Sequence, residues 1–504
     1  MSDLPSLQDS VPHIALLGSG GGQRAAVALL GSLHQMGQDD LLDTLLYLGG
    51  VSGSGWAMSF LYTDPMWSAN TAAALARLTG SGPELDDILD WLKDRSEHKD
   101  FSLSDFWGSL LSPTIMNQLG RHQLADEAKK QTTNPYPVYS ALEQNCYLDG
   151  PTKGKWFELT PHESGFTELN HFIPTSQLGS SHSDAGELEG VKGVKVVEEE
   201  VMGVKGVEVV EEEGIKDTSR VDITKSGIRA LHVLARLLAV LGEITEDPGA
   251  KAELEQLRAP LQDFLTISSF PSMRLVNIQD RKTMFNEWIE ETLKPIREWA
   301  LNLTDGPVKD LVSLVFKLFP LIARWKWGTT TNFLYQTKAG AIPDCLRSKE
   351  HIQLIDPGMY LNSPYPPFLG PKRDVDLIIS LDFSLGESLK SLTLARDYAA
   401  EVQKPFPVID DKVLEDKDWP KDYYVFPGGL SQPTIVYMPL FNQRNCRDAA
   451  EVKSKMAEYT TVQWPYSKEK IAALLKIAMA NMKNNKYNLL NEIYRAAVRK
   501  HKRR

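Results

Sequence analysis

Two short stretches hold residue types that can do covalent chemistry. In "YLGGVSGSGWAMSFLY" (Tyr47–Tyr62), Ser52 stands in Gly50-Val51-Ser52-Gly53-Ser54, between an apolar run and the start of a helical pattern. A strand, a small-residue turn and a helix form the setting in which a serine is held strained with its hydroxyl presented as a nucleophile. A strict Gly-x-Ser-x-Gly pattern would have glycine at Ser54. Gly/Ser turns also form for purely local reasons, so by itself the motif leaves both a nucleophile and a plain turn open.

Upstream, "HIALLGSGGGQRAAVALLGSL" reads as a strand (Ile14–Leu17), a glycine loop (Gly18–Gly22) and a helix starting near Arg24. Bare glycines at a helix N-terminus turn backbone N–H groups and the helix dipole toward an anion. A dinucleotide fingerprint would need its third glycine where Gln23 stands, and a P-loop would need a Gly-Lys-Ser/Thr that is absent. An oxyanion hole remains, with donors contributing roughly 3–4 kcal/mol each, against a tight strand-to-helix turn.

A serine nucleophile needs a proton acceptor. His351 and His501 are the histidines after residue 300, one opening a strand and one in a basic terminus, and neither makes a convincing partner. Asp356 in "HIQLIDPGMYLNSPYPP" is the better candidate, because it ends an apolar strand and precedes the Pro357-Gly358 turn. Parallel neighbouring strands would bring it to the same sheet edge as both turns, where open α/β sheets bind ligands. A carboxylate of ordinary pKa, about 4, is a weak base for a hydroxyl, so burial or a short hydrogen bond must assist it. An Asp before Pro-Gly is also an ordinary turn starter.

The elements that must position these residues follow from the wider pattern. The chain has 504 residues, 42% of them apolar and 24% charged, the balance of a soluble globular protein. Residues 13–177 alternate apolar runs with helical patterns, and the same pattern resumes after about residue 325 with "VDLIISLDFS", which predicts an α/β fold with a central sheet flanked by helices. The chain closes with a helix predicted from about Ser467 to Arg495. Between the two halves, residues 178–225 hold two near-identical copies of "GVKGVxVVEEE" starting at Gly190 and Gly203, and read as an acidic low-complexity insertion. Residues 226–320 read as helices, "SGIRALHVLARLLAVLGEIT" among them.

Charge and cysteines exclude several classes. The net charge is −11, yet the last ten residues, "RAAVRKHKRR", carry six Lys/Arg and no acid. That basic tail (496–504) reads either as a solvated terminus or as a polybasic patch for an anionic lipid surface. Nucleic acid fits poorly, because the rest of the chain is acidic and no aromatic stripe accompanies the tail. Cys146, Cys345 and Cys446 lie far apart without a C-x-x-C pair, which argues against a disulfide framework and a structural zinc and suits a reducing cytosol. No secretory signal opens the chain, and no apolar run is long enough to span a bilayer.

Taken in order, "GSGGGQRA", "GVSGSGWA" and "LIDPG" resemble the cytosolic group IV phospholipase A2 family, the mammalian relatives of patatin. "FSLSDFWG", "NPYPVYSAL", "WFELTPHESGF", "WKWGTTTNFLY", "VDLIISLDFS" and "MPLFN" match the same family, so the resemblance covers residues 13–177 and 320–495. It looks nearest to the member that lacks a calcium-binding C2 module, and only twelve residues precede the first core strand here. The resemblance implies a patatin-like catalytic domain over 13–495, after a short arm (1–12), with the 226–320 region as a helical cap. It also implies a Ser/Asp dyad. Ser52 would attack an acyl ester of a glycerophospholipid or lysophospholipid, Asp356 would act as general base, and water or a lysophospholipid acceptor would take the acyl group. By the same resemblance Gly21 and Gly22 form the oxyanion hole and Arg24 holds the substrate phosphate. No metal or cofactor would be used, activity would be independent of calcium, and the protein would be cytoplasmic and peripherally associated with intracellular membranes.

Two departures set an alternative beside this. The family has Asp-Ser-Gly or Asp-Ala-Gly where this chain has Asp356-Pro357-Gly358, and proline removes an N–H and stiffens the turn. After "QLGS" (Gln177–Ser180) the family's "KF" segment and "WGSA" helix start are replaced by the acidic repeat. A catalytically impaired, membrane-binding scaffold that keeps the lipid pocket is the second reading.

Overall fold

The computed structural model describes residues 11–80, 85–97, 105, 108, 115–117, 123–130, 132–179, 328–337, 342–429, 431–461 and 466–503. The acidic insertion beyond Gly179 and the 226–320 cap region lie outside them. The chain divides into two compact units, one of residues 1–83, 107–211 and 328–504 and one of 84–106 and 212–327. In the second, helix Leu85–Ser96 buries Trp91 and Leu92, and the buried Arg95 donates through Nε to the buried Asp105.

The first unit is built on one mixed sheet. Its strands are β1 (Ile14–Gly18), β2 (Tyr47–Gly50), β3 (Tyr136–Glu143), β4 (Trp156–Leu159), β5 (Glu163–Phe166), β6 (His171–Pro174), β7 (Thr329–Thr331), β8 (His351–Ile355), β9 (Leu377–Asp382), β10 (Tyr424–Phe426) and β11 (Thr434–Pro439). They order as β10-β11-β9-β1-β2-β3-β4-β5-β6, with β8 pairing to both β3 and β7. The stretch from β11 through β3 is parallel, and β1, β9 and β11 are buried along their whole length. That is why they read as largely apolar runs: a parallel sheet covered on both faces leaves little place for polar alternation. Each fully buried Leu or Ile there contributes about 1.5–3 kcal/mol.

Helix α1 (Gly22–Gln38) is buried from Gly22 to Met36. Helix α8 (Lys468–Asn484) packs against it so closely that a Cβ on Gly31 would fall 3.2 Å from Leu475 O. Ser467 caps α8, its Oγ accepting from Lys470 N. The closing helix predicted as one is two. Asn485 interrupts it, donating through Nδ2 to Asp422 Oδ2 at 2.8 Å and to Asn481 O at 3.1 Å, and α9 (Lys486–Lys502) follows.

Two expectations are corrected. Cys146 and Cys345 form a disulfide across 199 residues of sequence, joining helix Gln144–Asp149 to helix Asp344–Arg347. Separation hid it from the sequence, and two glycines make room for it. A Cβ on Gly150 would lie 2.6 Å from Cys345 Sγ, and one on Gly154 2.9 Å from Cys146 Sγ.

The basic tail is helical rather than frayed as far as Lys502. α9 continues through it, and Lys500 Nζ (3.0 Å) and Arg503 Nη1 (2.9 Å) pair with the buried carboxylate of Asp376. Arg499 Nη2 donates to Asp376 O, and Asp376 Oδ2 also accepts from His13 N at 2.8 Å. Asp376 stands just before β9, at the sheet end opposite Ser52, so a six-residue strand of roughly 20 Å separates the tail from the glycine loop. Among the described residues, no helix is long and apolar enough to cross a membrane.

Removing Asp376 would leave buried cations without their counter-charge, a loss of about 3–5 kcal/mol. Asp376→Ala is therefore expected to lower the thermal midpoint by several degrees while binding to anionic vesicles is unchanged, read by calorimetry and vesicle sedimentation. A variant of unchanged midpoint would show that Asp376 does not hold the tail, and one that gained vesicle binding would show that the released cations reach the lipid.

Candidate active site

Ser52 follows β2 and caps α2 (Gly53–Tyr62) with φ +52° and ψ −123°. A non-glycine residue held there costs roughly 1–3 kcal/mol and persists only when its surroundings over-determine it. Those surroundings are backbone. A Cβ on Gly53 would fall 2.0 Å from Gly22 O, and one on Gly50 3.0 Å from Gly55 N. Ser52 is 7% exposed, and its hydroxyl makes no capping bond to α2.

Ser54, where a strict motif has glycine, is fully buried and donates through Oγ to Ser19 O at 2.7 Å. The departure from the pattern is thus a hydrogen bond tying the serine turn to the glycine loop. Ser19 ties that loop in turn to the end of β9, donating from N to Leu381 O (3.1 Å) and accepting at Oγ from Phe383 N (2.7 Å). These two serines escaped sequence reasoning, although both sit inside the motifs it singled out.

Gly21 is the N-cap of α1 and Gly22 its first residue, with Gly22 at φ +58°. A Cβ on Gly21 would meet Phe383 O at 2.9 Å. An α-helix supplies no intrahelical acceptor for the N–H groups at these positions.

Strand pairing brings Asp356 to the same place. β3 pairs with β2 on one edge as far as Gly50↔Tyr139 and with β4 on the other. The β2 edge is then taken up by antiparallel β8, through Ile355↔Leu142 and Leu354↔Glu143. β2 and β8 therefore run toward each other along one edge of β3, and only Ser140 and Ala141 lie between their ends. Ser52 comes two residues after β2 ends and Asp356 one residue after β8 ends, so the two chains turn out of the sheet at this gap. Asp356 is 1% exposed, and its Oδ1 accepts from Gly358 N at 2.7 Å. Pro357 occupies the first position of the following 3₁₀ turn, where no N–H is needed, so the proline that departs from the family pattern is accommodated. His351 is exposed at the other end of β8, and His501 lies in α9.

Arg24 reaches the glycine loop, with Nη2 2.6 Å from where a Cβ on Gly21 would be. It is 1% exposed, donating from Nε to Phe383 O at 2.7 Å and from Nη1 to Tyr459 O. Burial pushes its pKa down to about 10, against the opposing pull of Tyr466 and Asp382, so it stays charged at neutral pH. Its guanidinium clamps the chain after β9 and the segment before α8 onto the loop. Asp382, buried at the end of β9, accepts from Tyr437 Oη, and burial followed by this carboxylate pushes the Tyr437 phenol well up.

A family model described as a lysophospholipase catalytic domain matches residues 14–199. The chain is 31% identical over 525 residues to mouse cytosolic phospholipase A2 gamma, covering 97% of this chain and 87% of the relative. It is 30% identical over 516 residues to the human protein of that name, covering 97% and 90%. The structure of human GIVD cytosolic phospholipase A2 superposes with a TM-score of 0.62 at 20% identity, covering 99% of this chain and 62% of that one, and shares its patatin-like α/β fold. This chain belongs to the cytosolic phospholipase A2 family.

Proposed function

We propose that the protein is a phospholipase A2 and lysophospholipase that cleaves acyl esters of glycerophospholipids through Ser52 and Asp356. The observation that carries the reading is the strained backbone of Ser52, facing a loop whose glycine N–H groups lack helical acceptors. Asp356 takes the Ser52 proton, Oγ attacks the ester carbonyl, and the Gly21 and Gly22 N–H groups bind the oxyanion. The lysolipid leaves with a proton from Asp356, and water or a second lysophospholipid then takes the acyl group. The family model and the two gamma relatives support the ester-hydrolase class. The remaining parts of the reading are calcium independence, substrate drawn from cytosol-facing membranes, and residues 13–495 as one catalytic domain carrying an insertion and a cap.

Fatty-acid release from phosphatidylcholine and lysophosphatidylcholine vesicles, with chelator present, tests the centre. Ser52→Ala and Asp356→Asn are each expected to lose at least roughly 10³-fold in kcat with vesicle binding retained. Vesicle binding without hydrolysis by the wild type would favour the scaffold reading.

Arg24 separates two roles. As a phosphate holder it would act through Nη2 and matter only for phospholipids. As a clamp on Phe383 O and Tyr459 O it matters for every ester. Arg24→Lys is expected to lower kcat for an uncharged short-chain ester at least tenfold, because one ammonium cannot reproduce the fork of donors. A rise in KM confined to phospholipids would assign Arg24 to phosphate alone.

A further inference from the structure

We infer that Asn362 is a positioning residue that holds the glycine loop in register with Asp356 during acyl transfer, an inference that rests on the reading of Ser52 and Asp356 above. Asn362 lies on the segment that leaves Asp356, past the 3₁₀ turn Pro357–Met359, and is 7% exposed. It grips Gly20 at both its N–H and its carbonyl. Gly20 N donates to Asn362 O at 2.9 Å, and Asn362 Nδ2 donates to Gly20 O at 3.1 Å. The second Nδ2 hydrogen serves Ser384 Oγ at 2.6 Å, which pairs with Ser391 Oγ at 3.2 Å. One amide thereby bridges the glycine loop, the strand end after β9 and the Asp356 segment.

The side chain has to be an amide of this length. Two N–H donors on one nitrogen are needed for Gly20 O and Ser384 Oγ, and a carboxylate or hydroxyl does not supply them. Gly20 has to be glycine for the same reason. A Cβ there would lie 2.5 Å from Asn362 Oδ1 and 3.1 Å from Ser52 Cβ, so its absence lets the amide stand against the nucleophile's own residue. Gly21 and Gly22 follow directly along the chain, so any shift of Gly20 carries both proposed oxyanion donors with it. A misplacement of about 1 Å in such a site costs on the order of 100-fold in rate.

The test measures steady-state kinetics on lysophosphatidylcholine and the rate at which a fluorophosphonate ester labels Ser52, in wild type, Asn362→Ala and Asn362→Asp. Asn362→Ala is expected to lose about 100-fold in kcat and to label correspondingly slowly, with KM changed less than roughly threefold. Asn362→Asp is expected to be as poor at about pH 8, but its rate relative to wild type should climb as pH falls toward about 5.5, where the protonated carboxyl again has a hydrogen for Gly20 O. Labelling and kcat within roughly twofold of wild type in both variants would overturn the inference. So would a loss expressed only in KM, or an Asp-to-wild-type rate ratio that is flat with pH, which is what a merely structural residue gives. If Asn362→Ala fails to fold, the pH ratio of Asn362→Asp decides. Wild-type enzyme that does not label at Ser52 would overturn the Ser52 reading itself, and this inference with it.

Discussion

The site depends on one crossing of backbone against backbone, where Gly22 O stands 2.0 Å from the place a Cβ on Gly53 would take. No side chain separates the glycine loop from the serine turn, so the two move as one object. The approach forces the strained conformation of Ser52, and the hydrogen bonds around it hold that strain in place: Ser54 Oγ to Ser19 O, and Phe383 N to Ser19 Oγ. A strain of roughly 1–3 kcal/mol is easily sustained when several bonds in a water-poor site would have to break to release it.

β3 acts as the rule against which the second half of the site is measured. Its edge is shared by β2 and β8 running head to head, and the lengths of those strands set the gap from which Ser52 and Asp356 emerge. A residue added to either strand would change the gap by about 3.3 Å and turn the side chains to the other face. The Cys146–Cys345 bridge fastens the chain entering β8 to the chain leaving β3.

Buried charge follows the same economy of position. Glu158, fully buried on β4, receives Arg373 in a two-pronged contact at 2.8 and 3.2 Å and Lys372 at 2.9 Å, fixing the approach to β9 at one end of the sheet. Asp376 gathers Lys500 and Arg503 at that same end, while Arg24 binds carbonyls at the other. Each ion is paired or bonded because an unpaired one would cost several kcal/mol in the interior. Lys500 and Arg503, two of the basic side chains of the C-terminal tail, are thus held by the fold.

The sequence by itself determined the local events. Apolar runs at β1 and β9 are legible because burial on both faces removes most polar residues, and the loop at Gly18–Gly22 and the turn at Ser52 because only small residues tolerate such close approach. Ser467 announced a helix start because capping is a contact within one turn. What only the tertiary structure decided are contacts between residues far apart in the chain: the 199-residue disulfide, the partner of the basic tail, and the carbonyls under Arg24. The meeting of β2 with β8 on one edge of β3 belongs with them. Periodicity and capping record forces acting within a few residues, whereas these pairings depend on strand order and register, which the chain adopts only when the whole sheet closes around its core.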